Sequence, residues 1–156
     1  MEHVTEAELI ERGQGPDPER PLVFLDTSVI MGYLRGEPSA APVFSAEASG
    51  RIRFAVNPIV LQELLLAADA VGLSEFAGIR DHLRVLPIDY EKVEALVPRV
   101  RALRNRLAHS NNILILSSAS VCDFLVTRDA GIKTLVTAEK PNVVTPEEFV
   151  TYLRAA

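Results

Sequence analysis

The segment Leu22-Val23-Phe24-Leu25-Asp26-Thr27-Ser28 decides the fold. Its four apolar residues predict a short strand that is buried on both faces, and the Asp-Thr-Ser sequence after them is typical of a helix start. Short apolar runs alternate with longer helical patterns from Pro21 to the end of the chain. Because buried strands that alternate with helices form parallel sheets, we expect an α/β fold with any functional site at the carboxyl ends of the strands.

Apolar runs outside this segment predict the other strands of the sheet. We expect strands at residues 22–25, 52–56, 85–88 and 124–127, and an edge strand at either 135–136 or 143–144. Helices are expected at residues 27–35, 39–49, 58–69, 73–82, 90–107, 112–121 and 146–154. Asn57 and Asp89 are the expected N-caps of two of these helices, and Pro98 is expected to kink the second.

Length and composition limit the class of protein. A chain of 156 residues with 48% hydrophobic and 24% charged residues predicts one folded domain and excludes wholesale disorder. A single cysteine, Cys122, excludes a disulfide-framed scaffold, and we expect it to be buried. No apolar stretch approaches the roughly 18 residues of a membrane-spanning helix, and the first 20 residues do not resemble a signal peptide. We therefore expect a soluble, cytoplasmic protein that does not contact a membrane.

Charge divides the chain into two parts. Residues 1–20 carry six acidic and two basic side chains and form an expected N-terminal acidic arm, with a short helix at residues 5–12. Residues 21–156, the expected folded domain, carry 15 acidic and 14 basic side chains. Because the arm accounts for most of the net charge of −5, the domain itself is compatible with a polyanionic partner.

Three acidic residues occupy positions that suggest a site. Asp26 and Asp129 each follow a predicted strand, so their side chains are expected at the same edge of the sheet. Glu63 lies in a helix that is otherwise apolar on nearly every face, which favours a position at the edge of a cleft or a paired carboxylate. Each residue also has an ordinary interpretation: Asp26 as a helix cap, Asp129 as a turn residue, and Glu63 on a narrow solvated stripe.

Three segments taken together carry a family resemblance. They are Phe24-Leu25-Asp26-Thr27-Ser28-Val29-Ile30, Asn57-Pro58-Ile59-Val60-Leu61-Gln62-Glu63-Leu64 and Leu125-Val126-Thr127-Arg128-Asp129. In this order they resemble the motifs of the PIN-domain nucleases, a family that includes VapC-type toxins, over residues 21–155. The resemblance implies a three-layer α/β/α sandwich on a five-stranded parallel sheet, and a cleft of acids that holds Mg²⁺ or Mn²⁺ to hydrolyse RNA phosphodiester bonds. It also implies a homodimer and, for a toxin, a cognate antitoxin partner.

One position departs from the family pattern. The family usually has a further Asp at the start of the helix before the Thr-x-Asp strand, and Asn112 occupies that place here. An asparagine keeps an oxygen for a ligand or a hydrogen bond but lacks the negative charge. The predicted cluster therefore has three carboxylates instead of four, and we expect it to bind metal more weakly.

Simple electrostatics favours a metal ion at such a cluster. Carboxylates that share a small cleft repel one another unless some are protonated or a cation lies among them. Mg²⁺ uses one or two protein carboxylates, waters and substrate phosphate, which predicts Asp26 and Asp129 as ligands, with Glu63 binding directly or through water. We expect Asp26, Glu63, Asn112 and Asp129 to form the catalytic site. Thr27, Ser28 and Thr127 are expected to support it by hydrogen bonds to phosphate, metal-bound water or a carboxylate.

Arginines near these motifs are candidates for RNA contacts. Arg128 is adjacent to Asp129 and is the best single candidate for a phosphate contact. The pattern of the long helix contains four further arginines, namely Arg99, Arg101, Arg104 and Arg106. They do not share one helical face, so solvated side chains beside an apolar stripe are the alternative interpretation.

Two further functions remain compatible with these residues. Because Asn112 weakens the cluster, the chain is alternatively a PIN-fold module that binds RNA or a protein partner without cutting. A phosphatase with Asp26 as the phosphorylated nucleophile also fits a strand followed by Asp, but Ser28 occupies the place where a second Asp is expected. Our first hypothesis is a Mg²⁺- or Mn²⁺-dependent endoribonuclease that serves as the toxin of a toxin–antitoxin pair.

Overall fold

The computed structural model describes residues 20–71, 73–103 and 110–155. The helix expected at residues 5–12, and all of the acidic arm except Arg20, lie outside the described residues. Two of the candidate RNA-binding residues, Arg104 and Arg106, also lie outside them.

Five parallel strands form one sheet. They are β1 (Leu22–Leu25), β2 (Arg53–Val56), β3 (Leu83–Val85), β4 (Phe124–Val126) and β5 (Asn142–Val144). The strand order is β3-β2-β1-β4-β5, and every neighbouring pair is parallel. Central strand β1 contributes Val23, Phe24 and Leu25, which are fully buried because helices cover both faces of a parallel sheet. The predicted α/β fold on a five-stranded parallel sheet is confirmed.

Helices connect the strands. Within the described residues they are α1 (Thr27–Leu34), α2 (Ala41–Ala48), α3 (Pro58–Val71), α4 (Leu73–Arg80), α5 (Tyr90–Arg101), α6 (Ser110–Ala119), α7 (Ala130–Lys133) and α8 (Pro146–Ala155). Helix α1 packs against α3, α2 against α8, and α5 against α6. None of the helices in these parts of the chain has the length and apolar character needed to cross a membrane.

The register of the central strands positions the site. Leu25, the last residue of β1, lies beside Val126, the last residue of β4. The amide of Asp26 continues this pairing and donates a 3.0 Å hydrogen bond to the carbonyl of Val126. As a result, the residues that follow the two strands, Asp26 and Thr127, leave the sheet next to each other.

The two edge strands differ in how well the sequence predicted them. The strand expected at residues 85–88 lies instead at Leu83–Val85, where Leu83 is buried and pairs with Phe54 of β2. Pro87 has no amide hydrogen to donate, so the ladder cannot continue through it. At the other edge, the alternative at residues 143–144 is confirmed by β5, whereas residues 135–136 form no strand because the Leu135 amide donates to the Ile132 carbonyl in a turn.

Helix α5 is shorter than its apolar pattern predicts. Its N-cap is Asp89, as expected, and the Asp89 side chain accepts a 3.3 Å hydrogen bond from the Lys92 amide. Pro98 lies inside the helix on its exposed side. The helix ends at Arg101, where the Leu103 amide donates to the Val100 carbonyl and closes a turn. Residues 104–107 of the expected helix lie outside the described residues.

Candidate active site

Asp26 and Thr127 are joined across the ends of the two central strands. The Thr127 hydroxyl donates a 2.6 Å hydrogen bond to Asp26 Oδ2. Asp26 Oδ1 accepts a 2.8 Å hydrogen bond from the Thr27 amide, so Asp26 is also the N-cap of α1. Both carboxylate oxygens therefore have a donor, and the side chain is held in one orientation.

Asp129 is tied to the same hydroxyl. Its amide donates a 3.0 Å hydrogen bond to Thr127 Oγ1, and its Oδ1 accepts a 2.8 Å hydrogen bond from the Gly131 amide at the start of α7. The Asn112 side-chain amide, from the first turn of α6, donates to Asp129 Oδ2 at 3.3 Å. A continuous set of hydrogen bonds thus connects Asp26, Thr127, Asp129 and Asn112.

These residues line a cleft of about 460 Å³, which is within the size range of small-molecule and cofactor sites. The lining residues are Asp26, Thr27, Ser28, Glu63, Asn111, Asn112, Ile115, Arg128 and Asp129. All four residues predicted to be catalytic therefore share one cleft with Thr27, Ser28 and Arg128. The sequence analysis did not single out Asn111 and Ile115, although Ile115 lies one helical turn after Asn112 and would share its face.

Burial makes the Asp26 carboxyl harder to ionise. Asp26 is only 9% exposed, and this desolvation raises its pKa above the ordinary 3.8, against the lowering effect of the hydrogen bonds from Thr127 and the Thr27 amide. The nearby Asp129 carboxylate raises the Asp26 pKa further. No basic side chain is among the described groups that shift the pKa of Asp26, so this carboxyl has no cationic partner in the described part of the chain.

Among the described residues that line the cleft, Arg128 is the only basic one. Its guanidinium donates hydrogen bonds to groups outside the catalytic set. Nη2 donates to Ser39 Oγ at 2.6 Å and to Glu37 Oε2 at 3.4 Å, and Nη1 donates to Glu147 Oε1 at 3.4 Å. Arg128 therefore lies at the edge of the cleft and is paired with acids outside the catalytic set.

The predicted three-carboxylate cluster is incomplete. No three His, Cys, Asp or Glu side chains among residues 20–71, 73–103 and 110–155 are gathered closely enough to hold one ion. Asp26 and Asp129 are linked through Thr127, whereas Glu63 lines the same cleft from helix α3 without joining them. Backbone amides fix the two aspartates at the starts of α1 and α7, whereas Glu63 belongs to α3, which packs against α6.

The residues present nevertheless fit a hydrated divalent cation. Mg²⁺ needs only one or two protein carboxylates when waters and substrate phosphate complete its octahedron, and Asp26 with Asp129 meets that requirement. The Thr27 hydroxyl, on the wall of the cleft, is buried and has no hydrogen-bond partner among the described residues. A buried hydroxyl without a partner is costly, so this group favours a bound water or a ligand oxygen beside it.

Asn57 holds the two helices that form the walls of the cleft. Its side chain is fully buried, and its Nδ2 donates at 3.1 Å both to the Leu114 carbonyl and to Ser118 Oγ in α6. Its Oδ1 accepts from the Val60 amide at 3.1 Å, which confirms Asn57 as the N-cap of α3. Helix α3, which carries Glu63, is thereby fixed against α6, which carries Asn112. The sequence analysis identified the cap and missed the link between helices.

The arginines of α5 lie apart from the cleft. Arg99 Nη1 donates a 2.6 Å hydrogen bond to the Leu135 carbonyl, and neither Arg99 nor Arg101 is among the lining residues. Their contact with RNA stays a prediction. Of the described arginines, Arg128 is the one that lines the cleft.

Comparison with known proteins agrees with this fold. The family model for the PIN domain matches residues 23–136. VapBC2 from Rickettsia felis, solved bound to a DNA fragment from its promoter, is similar with a TM-score of 0.55 and 17% identity, over 79% of this chain and 96% of that chain. FitAcB from Neisseria gonorrhoeae is similar with a TM-score of 0.48 and 20% identity, over 80% of this chain and 97% of that chain. No curated protein sequence is significantly similar. The family match spans most of the chain, and the chain therefore belongs to the PIN domain family.

Proposed function

We propose that the protein is a divalent-metal-dependent endoribonuclease of the PIN type that hydrolyses RNA phosphodiester bonds. One observation carries the proposal. Two aspartates, one of them buried without a cationic partner in the described structure, are linked through Thr127 in a cleft that Glu63 also lines. Such a site is stabilised by a hard cation, and oxygen ligands suit Mg²⁺ or Mn²⁺.

Each residue has a defined part in this proposal. Asp26 and Asp129 bind the metal ion, and Glu63 binds it directly or through water. When bound, the metal supplies a more acidic water as the nucleophile and offsets charge that develops on the phosphoryl oxygens. Asn112 orients Asp129 by donating to its Oδ2. Thr27 and Ser28, in the first turn of α1, donate to a substrate phosphate, which helix N-termini attract.

The direct test is cleavage of a labelled single-stranded RNA by the purified protein in Mn²⁺ or in Mg²⁺, with EDTA as the metal-free arm. The test variant is Asp26→Asn. The matched control is Glu94→Gln, which removes one acid from the exposed side of α5. We expect cleavage by the wild type and by Glu94→Gln, and none by Asp26→Asn or in EDTA. Equal cleavage by all three proteins would reject the metal-nuclease function.

The proposed biological role is the toxin of a toxin–antitoxin pair in the cytoplasm. It is supported by the family motifs around Asp26, Glu63 and Asp129. It is also supported by the structural similarity to VapBC2 from Rickettsia felis. The proposed partner is an antitoxin that covers the cleft. Expression of the chain alone should arrest growth, and co-expression with the reading frame next to its gene should restore it. Continued growth without that frame would contradict the toxin role.

We also propose that the protein is a homodimer. Adjacent leucines on α3 support this: Leu65 is 56% exposed and Leu66 is 76% exposed. Exposed neighbouring apolar side chains of this size are typical of an interaction surface. Light scattering on the wild type and on Leu66→Glu should give a dimer and a monomer, respectively.

The second candidate is a PIN-fold module that binds RNA or a protein without cutting. It is favoured by Asn112, a neutral residue that is 6% exposed and contacts Asp129 directly. Restoring the acid with Asn112→Asp separates the two functions. A large gain in cleavage supports a nuclease with a weakened cluster, whereas no cleavage by either protein, together with retained RNA binding, supports the binding module.

A further inference from the structure

Arg128 is held at the edge of the cleft by groups from two other parts of the chain. Ser39 and Glu37 belong to the loop between α1 and α2, and Glu147 lies in the first turn of α8. The Arg128 side chain is still 37% exposed. A guanidinium has five N–H donors, and these three contacts leave further N–H donors available for another partner.

Glu37 reaches Arg128 across Gly32 of α1. A Cβ atom at position 32 would lie 2.5 Å from Glu37 Oε2 and 3.0 Å from its Cδ. The Glu37 amide also donates a 2.9 Å hydrogen bond to the Gly32 carbonyl. Gly32 does not have a positive φ angle, so the backbone does not require glycine there. The glycine is needed for the space in which the Glu37 carboxylate lies.

We propose that Glu37, seated over Gly32, is a positioning residue that holds Arg128 in one orientation for a phosphate of the RNA substrate. This inference rests on the proposed function. A free arginine side chain has many rotamers, and restricting them before the ligand arrives lowers the entropy lost on binding. The contacts that hold Arg128 are made by groups outside the acidic cleft, so they act on substrate binding and leave the metal ligands unchanged.

The opposite role for Glu37 gives the opposite result. A carboxylate beside Arg128 also competes with a phosphate for the same guanidinium and repels it. If Glu37 positions Arg128, its neutralisation weakens RNA binding. If Glu37 only competes with the phosphate, its neutralisation strengthens RNA binding. The sign of the change therefore decides between positioning and competition.

The experiment measures RNA affinity in EDTA by fluorescence anisotropy and, in parallel, KM and kcat in Mn²⁺. The test variants are Glu37→Gln and Gly32→Ala. The matched control is Gly78→Ala in α4, where an added Cβ has no neighbour within 4 Å. Alanine is the better helix former, so neither glycine variant should unfold the protein. We expect Kd and KM to rise about three- to tenfold in the two test variants, with kcat unchanged and no effect of Gly78→Ala.

Combination with Arg128→Ala makes the test specific. In the Arg128→Ala background, Glu37→Gln and Gly32→Ala should change the affinity no further, because the group that they position is gone. An unchanged or lower Kd in the single variants, or equal losses in both backgrounds, overturns the inference.

The outcome also separates this inference from the proposed function. If the wild type binds RNA but does not cut it, the nuclease proposal fails while the anisotropy result still decides the role of Glu37. If the wild type cuts RNA and Glu37→Gln behaves as wild type, only the positioning role fails. If the wild type neither binds nor cuts RNA, both fail.

Discussion

The Thr127 hydroxyl donates a 2.6 Å hydrogen bond to Asp26 Oδ2 and accepts a 3.0 Å hydrogen bond from the Asp129 amide. One side chain thereby fixes both aspartates at the ends of neighbouring strands. Thr127 is 3% exposed, so water does not easily replace its hydroxyl.

Replacing this hydroxyl with a methyl group should weaken the fold and the site together. Thr127→Val leaves a buried carboxylate oxygen without its donor, which costs about 1–3 kcal/mol of unfolding free energy. The pKa of Asp26 should rise further because a bond that lowers it is lost. Urea unfolding of Thr127→Val and Thr127→Ser measures the effect. The serine variant keeps the donor and should stay close to wild type; equal losses in both would assign the cost to packing.

The charge of Asp26 should destabilise the metal-free protein near neutral pH. Burial raises the pKa of Asp26 in the folded state above 3.8, so the folded protein holds this proton more tightly than the unfolded chain. Stability is therefore lost as pH rises from 3.8 through the folded pKa. Asp26→Asn should unfold at a higher temperature than wild type at pH 7 in EDTA, and this difference should shrink below pH 3.8. A less stable variant at pH 7 would show that the carboxylate contributes more through its hydrogen bonds than it costs by burial.

Restoring an acid at position 112 should have opposite effects with and without metal. Asn112 donates to Asp129 Oδ2, and an aspartate there would place a like charge against it. We expect Asn112→Asp to be less stable than wild type in EDTA, and to bind Mn²⁺ roughly tenfold more tightly. Thermal unfolding in EDTA and calorimetric titration with Mn²⁺ measure the two changes. If neither changes, residue 112 is not part of a metal site.

The thiol of Cys122 should be unreactive in the folded protein. Burial is the main cause that raises its pKa to about 12, with a further contribution from Asp123. The thiolate is the reactive form, so a buried, protonated thiol reacts slowly with a disulfide reagent at neutral pH. We expect one equivalent of the disulfide reagent to react, because the chain has a single cysteine, and to react promptly only when guanidinium unfolds the protein. Prompt reaction of the native protein would contradict the burial of Cys122.

Local patterns were sufficient to predict the central strands and the main acids of the site. Strands β1 and β4 are apolar at every position and, except for the half-buried Leu22, buried. Because parallel strands end at one edge, Asp26 and Asp129 could be placed together from sequence. Edge strand β3 was misplaced because the apolar run at residues 85–88 was taken as the strand, whereas the pairing with β2 covers Leu83–Val85 and Pro87 cannot continue it.

The remaining parts of the site depend on tertiary packing. The sequence places Arg128 next to Asp129, but only the folded chain brings Glu37 and Glu147 to its guanidinium. Similarly, Glu63 was expected to bind the metal directly or through water, and its place in the cleft follows from how α3 packs against α6. Side-chain contacts between distant segments have no signature in the spacing of residues along one segment.

The central claim is that Asp26 and Asp129 bind one divalent cation, and anomalous diffraction from crystals soaked in Mn²⁺ tests it most directly. We predict one strong anomalous peak in the cleft, in contact with carboxylate oxygens of both Asp26 and Asp129 and absent from crystals of Asp26→Asn. A well-ordered cleft with no peak between these two side chains at saturating Mn²⁺ would contradict the claim.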